Sequence, residues 1–275
     1  MKQIAPSGFS RISSLFDSSI YRNEHLGWID FCNIPSVNGA AWVDPGESGS
    51  FLLGIQPAAP TIFWLHTFAS TTRPEGYPLT EKLKQILPRG SYSVYTISSN
   101  AWYSSLLQAS GFRQCDEIIQ MEAREVTISY YYTQLSPKPF LPEMAGAILS
   151  ACEPSFPPLW RISPQEFEIA VKTSNYGKVI QKGRSILGYL LADITDDNCH
   201  IQRIAVRSAY QGKGIGSALI RQMVIDAQKM GISNFSLNTN RNNATAIRFY
   251  KKINYRTQDE VFPVYHRYIH ATGRA

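Results

Sequence analysis

Residues 204–217 read IAVRSAYQGKGIGS, an apolar run followed by a turn with glycine at 212, 214 and 216, and ALIRQMVI comes next. The pattern passes from strand to helix with backbone freedom concentrated at the junction. The first N–H groups of a helix have no partner within it, and the helix dipole places partial positive charge beside them. Glycines at such a mouth allow left-handed turns and let an anion approach without a Cβ in its path. Lys213 adds a point charge. Residues 211–217 therefore read as a phosphate or pyrophosphate cradle, the alternative being a tight strand-to-helix turn without a ligand. Two other phosphate loops are excluded by spacing. A dinucleotide fingerprint needs GxGxxG, and a nucleotide-triphosphate loop needs Gly-Lys-Ser/Thr, whereas Lys213 is followed by Gly214.

The charge distribution fits an anionic small ligand. The chain of 275 residues carries a net charge of +6, but residues 1–124 hold 9 Lys and Arg against 10 Asp and Glu, and residues 125–275 hold 18 against 11. The positive charges of the second half are dispersed rather than run together, which speaks against nucleic acid as the partner. An apolar content of 44% suits a packed fold of one large or two ordinary domains. No apolar stretch is long enough to cross a bilayer, and the start, MKQIAPSGFSR, lacks the apolar core of a secretory signal, so neither membrane nor export is expected. Cys32, Cys115, Cys152 and Cys199 lie far apart with no metal-ligand spacing, as expected for reduced thiols in a cytoplasmic protein without metal.

Periodicity places strands at 51–55, 61–68 and 93–97 and helices at 79–87 and over 101–110, then a proline-rich loop at 133–142. The second half reads helix 143–152, helix 164–173, strands 177–181, 185–194 and 199–206, helix 214–230, strand 234–239, helix 243–252, and late strands 255–258 and 262–270. NAWYSSLLQASGF at 100–112 echoes NATAIRFYKKINY at 243–255, the mark of a duplicated unit.

QGKGIG at 211–216 resembles the acetyl-CoA loop of the GCN5-related N-acetyltransferases (GNAT), whose pattern is Q/R-x-x-G-x-G/A; Gln211, Gly214 and Gly216 fall on its fixed positions. Asn243, Ala246, Phe249 and Tyr250 match the family's second signature, N-x-x-A-x-x-F-Y. Its closing Gly-Phe is Asn254-Tyr255 here, and Asn is the residue best able to replace Gly at a left-handed helix end. The resemblance covers residues 125–275. It implies an α/β (α+β) fold of two GNAT-like domains, each a mixed, mostly antiparallel sheet flanked by helices with a splayed parallel strand pair. Residues 1–124 would be a degenerate copy without the CoA loop, and 125–275 the catalytic domain.

The same resemblance implies an N-acetyltransferase that moves the acetyl group of acetyl-CoA directly to a primary amine, of a protein N-terminus, an amino acid or a polyamine, in a ternary complex. Ile204, Ala205 and Val206 would lie along the pantetheine arm. Gln211, Gly212, Lys213, Gly214, Ile215, Gly216 and Ser217 would hold the pyrophosphate, with Asn243, Ala246, Phe249 and Tyr250 completing the cofactor site. The Val206 N–H would face the thioester oxygen, Tyr250 would protonate the leaving thiolate, and His200 stands at the position of the family's general base. Strict alternation would put His200, Gln202 and Ile204 on one strand face and Cys199 on the other, in the core; Glu168 and Asp193 are weaker candidates for the base. Phe156, Trp160 and Arg161, in the loop between the first two helices, and Tyr265, on the late strands, would contact the acceptor. The alternative is a non-catalytic acyl-CoA-binding module, which has no use for an acid at Tyr250.

Overall fold

The computed structural model describes residues 2–4, 16–24, 40–45, 50–128 and 135–272; the start of the proline-rich loop, 133–134, lies outside them. The chain forms two compact units, Met1–Glu117 with Phe262–Ala275, and Ile118–Val261. The expected division after Arg124 therefore differs in place, and the chain from Phe262 onward joins the first unit.

The first unit contains β1 (Lys2–Ile4), β2 (Tyr21–Glu24), β3 (Ala40–Pro45), β4 (Ser50–Ala59), β5 (Ile62–Ser70), α1 (Leu79–Ile86), β6 (Gly90–Ile97) and α2 (Ala101–Ala109), and the start of β7 (Arg113–Ala123). Its sheet runs β1-β3-β4-β5-β6 and ends on residues 264–271 of β13 (Arg256–Ala271), antiparallel to β6. β5 and β6 are parallel over Ile62–Trp64 and Ser93–Tyr95. The core sits under the apolar faces of α1 and α2, where Leu79, Leu83, Tyr103 and Leu107 are fully buried with Leu53 and Phe68.

The second unit contains the rest of β7, then β8 (Lys138–Pro139), α3 (Ala145–Cys152), α4 (Pro164–Thr173), β9 (Tyr176–Lys182), β10 (Ser185–Ile194), β11 (Asn198–Val206), α5 (Ile215–Lys229), β12 (Asn234–Asn240), α6 (Ala244–Lys252) and the start of β13. Its sheet runs β7-β12-β11-β10-β9-β8. Residues 118–123 of β7 pair antiparallel with β12, and β11 and β12 are parallel over Asn198–Ile201 and Asn234–Leu237. Ile215, Leu219, Ile220 and Met223 of α5 pack on Leu190, Ala192 and Ile201 of one sheet face. On the other face Phe167 of α4 meets Tyr189 edge-on, with ring centroids 5.5 Å apart. α4 begins with Ser163 and Glu166 in a reciprocal capping box, and Pro164 fills its first position.

Expected and observed elements agree closely from α3 to α6. Two differences matter. The late strands form one 16-residue strand, β13, and β7, an 11-residue strand, has no counterpart in the sequence reading. Both strands alternate imperfectly and carry many polar residues, so periodicity does not reveal them. α6 ends as expected on Asn254 in the left-handed region, φ 73°, and α2 ends on Gly111 at φ 76°. The Tyr255 N–H bonds to the Tyr250 carbonyl and the Phe112 N–H to the Leu107 carbonyl, so the two helix ends are built alike.

Candidate active site

The site is built where β11 leaves β12. Their pairing ends at Ile201–Leu237, while β10 follows β11 as far as Gly188–Val206. The Arg207 N–H bonds to the Leu187 carbonyl at 2.9 Å, on the β10 side. In an antiparallel ladder successive residues turn their polar groups to opposite edges, so Val206 and Ile204 direct theirs toward the gap that β12 has left. Gln211 Nε2 donates to the Val206 carbonyl at 3.1 Å, and the Val206 N–H points outward beside it. Gly188 allows this crowding, since a Cβ there would lie 2.9 Å from the Ala205 carbonyl and 3.0 Å from Ile215.

The glycine turn opens directly onto this edge. Gly212 and Gly214 have φ of 73° and 77°, and Gly214 is the N-cap of α5 with no side chain capping the helix. The first N–H returned into the helix is that of Ala218, to the Gly214 carbonyl at 2.9 Å. The N–H groups of Ile215, Gly216 and Ser217 thus project from the helix mouth. Gly216 is different from the other two. A Cβ on it would meet Phe249 and Val206 at an ordinary 3.8 Å, so no neighbouring protein atom demands glycine there. Lys213 departs from expectation: its ammonium donates to the Ala209 carbonyl at 3.0 Å and lies over the Tyr210 ring, folded back on its own turn.

Asn243 is the N-cap of α6 and accepts from the Ala246 N–H, so this residue orients the helix that carries Phe249 and Tyr250. Tyr250 is 7% exposed and packs between Phe249 and Tyr255, with ring centroids 5.4 and 5.7 Å away. Burial raises its phenol far above the usual tyrosine range, so it holds its proton at any physiological pH.

A β-bulge reorders the residues before the gap. The register shifts between Leu191 and Ala192 and leaves Gln202 without a partner. His200 pairs with Asp193 and Arg203 with Leu191, on the face of Tyr189, whereas Ile204 pairs with Leu190 on the opposite face. His200 and Ile204 therefore do not share a face, contrary to strict alternation. His200 Nδ1 lies 2.8 Å from Ser236 Oγ, which also accepts from Asn198 Nδ2 at 2.8 Å. Burial lowers the imidazole below its ordinary value, opposed in part by Asp193. Cys199 is fully buried, as expected, and burial pushes its thiol up to about 12. Glu168 lies exposed on α4, paired with Lys172 at 2.8 Å.

The loop after α3 is held by a clamp that the sequence did not announce. Arg203 reaches across from β11 and binds Glu153 through Nε to Oε1 at 3.1 Å and Nη2 to Oε2 at 2.8 Å. Tyr189 also donates to Glu153 at 3.1 Å, and Arg203 Nη2 donates to the Trp160 carbonyl at 2.9 Å. The guanidinium lies 4.0 Å from the centre of the Phe156 ring. Phe156 and Trp160 are thus fixed against β11, near the gap. Arg161 instead donates to the carbonyls of its own loop, Phe156 at 2.9 Å and Pro154 at 3.4 Å. Tyr265 is a correction. It belongs to the first unit, where it is 2% exposed in the core and its hydroxyl accepts from Gln108 Nε2 at 3.3 Å; a side chain so enclosed contacts no acceptor.

The model of the acetyltransferase (GNAT) family matches residues 144–255, the stretch that holds the gap, the turn and Tyr250. No curated protein sequence matches the chain. Among solved structures, a tandem GNAT protein from the clavulanic acid biosynthesis pathway covers 97% of each chain with a TM-score of 0.61 at 12% identity. A GCN5-related N-acetyltransferase from Sphaerobacter thermophilus covers 86% of this chain and 78% of its own, with a TM-score of 0.55 at 16% identity. An acetyltransferase of the GNAT family from Colwellia psychrerythraea covers 96% and 98%, with a TM-score of 0.54 at 13% identity. At such identities the likeness is one of fold, and the sequence likeness to the acetyltransferase (GNAT) family is carried by residues 144–255.

Proposed function

We propose that the chain is an N-acetyltransferase that transfers the acetyl group of acetyl-CoA to a primary amine by direct attack, with the second unit as its catalytic domain. The observation that carries this reading is the outward Val206 N–H beside the uncapped N-terminus of α5. The N–H groups of Ile215, Gly216 and Ser217 would take the pyrophosphate, and the backbone of Ile204 and Val206 the pantetheine arm. Acetyl-CoA supplies an activated acyl group and a thiol leaving group. The Val206 N–H is the donor for the thioester oxygen, where negative charge grows as the amine attacks. Tyr250, held protonated by burial, gives its proton to the departing sulfur.

His200 is the base in this account, acting through water, because burial keeps its imidazole neutral and ready to accept a proton. Of the two rival carboxylates, Glu168 is engaged by Lys172 and Asp193 is the cross-strand neighbour of His200 itself. Phe156 and Trp160 would form one wall of the acceptor site. The first unit would be the degenerate copy. Its parallel pair β5–β6 matches β11–β12 in kind, and Leu107 stands at the helix-end position that Tyr250 holds.

The test is release of free thiol from acetyl-CoA in the presence of spermidine, free amino acids and short peptides with open N-termini. At least one amine should raise the rate well above hydrolysis in water, and Tyr250→Phe should lower kcat by about 100-fold or more with acetyl-CoA affinity unchanged. Tight acetyl-CoA binding with no amine-dependent thiol release would favour the non-catalytic binding module instead.

A further inference from the structure

In the second unit the edge of β11 beyond Ile201 faces a gap, with no strand paired to it among the described residues. The first unit has the same divergence with a different outcome. β6 accompanies β5 only over Ile62–Trp64, and β5 continues to Ser70. Along Thr67–Ser70 one edge of β5 is taken by β4, with Gly54 opposite Thr67 and Phe51 opposite Ser70. β2 pairs antiparallel with the same residues, Tyr21 with Ser70, Arg22 with Ala69, Asn23 with Phe68 and Glu24 with Thr67. A strand has two edges, so β2 must lie on the edge that β6 has abandoned.

Side chains then tie β2 to the diverging partner. Asn23 is 2% exposed; its amide donates to the Ile97 carbonyl, the last of β6, at 2.9 Å. Its carbonyl accepts from the Ser99 N–H at 3.0 Å and the Ser99 hydroxyl at 3.1 Å. Asn100 Nδ2 donates to the Arg22 carbonyl at 3.1 Å. β2 is therefore bonded to β5 by its backbone and to the end of β6 by Asn23, filling the wedge between them.

We propose that Tyr21–Glu24 is a resident strand occupying, in the first unit, the slot that in the second unit receives the pantetheine arm. The chain accordingly has one acyl-CoA slot, and the other is closed by its own backbone. The inference rests on the pantetheine reading of the second unit for the meaning of the slot, but not for its occupancy. It separates two ways of losing a cofactor site. Loss of a phosphate cradle would leave an open edge able to pair with any extended segment, a known liability of unpaired strands; here that edge is covered.

The test is hydrogen exchange on the full-length chain, free and with desulfo-CoA, followed by calorimetry with pantetheine. The Thr71 N–H bonds to the Ser50 carbonyl, so the amides of Phe68 and Ser70 turn away from β4 toward β2, and these two should be protected in the free protein and unchanged by desulfo-CoA. In Asn23→Ala, which removes the anchors to Ile97 and Ser99, they should exchange about tenfold faster. Fast exchange at Phe68 and Ser70 in the free wild-type protein, or protection there that appears only with desulfo-CoA, overturns the proposal. Pantetheine should bind with a stoichiometry no greater than one; two sites per chain also overturns it. Absence of any ligand effect at 204–206 would count against the second-unit reading alone, and the free-protein exchange at Phe68 and Ser70 would still decide whether β2 fills the wedge.

Discussion

At the level of single residues, the three glycines of the turn do different work. Gly212 and Gly214 hold left-handed backbone, which an L-residue adopts at a cost of roughly 1 kcal/mol. Gly212→Ala should therefore lower thermal stability modestly. Gly216→Ala should leave stability intact or slightly improved, because its Cβ has room and helix entropy favours alanine, and should keep acetyl-CoA binding near that of wild type, since the loop pattern accepts Gly or Ala there; parallel thermal melts and calorimetry check both. The sequence showed three equivalent glycines, and only the backbone angles distinguish them. His200 carries a pH signature. Its folded value lies below the ordinary 6.5 because burial disfavours the imidazolium, so its contribution to stability is complete above 6.5 and is lost as the pH falls through the lowered value. The stability advantage of wild type over His200→Gln should shrink between about pH 8 and about pH 5 in denaturant titrations. An advantage that grows on acidification would mean that the folded protein prefers the charged ring.

Between elements, the Arg203–Glu153 pair fastens the loop after α3 to β11 with both partners nearly enclosed, their side chains 10% and 7% exposed. Removing one partner strands the other charge. Arg203→Met should cost about 3 kcal/mol or more, whereas a matched replacement of both residues by apolar ones should recover much of that; urea titrations of the single and double variants read the difference. The fold of the second unit was legible from α3 to α6 because each element there carries its own local pattern: a capping box at Ser163, a continuous apolar strand run in β10, and a glycine turn feeding an amphipathic helix. What the sequence hid depends on partners remote in the chain. The bulge at Gln202 exists only in the register of β11 on β10, and it moves His200 to the face opposite Ile204. The clamp on Glu153 joins residues fifty positions apart. Arg161, expected at the acceptor, and Lys213, expected at the pyrophosphate, are bonded to nearby carbonyls. Tyr265 was expected to face the acceptor from a late strand, yet its side chain is enclosed in the core of the first unit.

Across the whole molecule, the two units do not coincide with the two halves of the sequence. Residues 118–123 complete the sheet of the second unit on β12, and residues 264–271 complete that of the first on β6. A chain cut to 125–275 loses the strand beside β12 and leaves that edge unpaired, so it should unfold at lower denaturant with a broadened transition, or aggregate, relative to the full chain. A sharp transition at the same midpoint would mean that the second half folds without its missing strand. The alike ends of α2 and α6, and a parallel strand pair in each unit, extend the echo read between 100–112 and 243–255 from sequence to backbone. The central claim is that the mouth of α5 and the edge of β11 hold acetyl-CoA, and calorimetry with acetyl-CoA on wild type and Ser217→Glu tests it most directly. An acidic side chain in the first turn favours the helix but repels a pyrophosphate placed there. The account predicts saturable binding by wild type, and a Ser217→Glu chain that melts at the same temperature or higher with affinity reduced by at least about tenfold. No binding by wild type, or equal affinity in the variant, would contradict it.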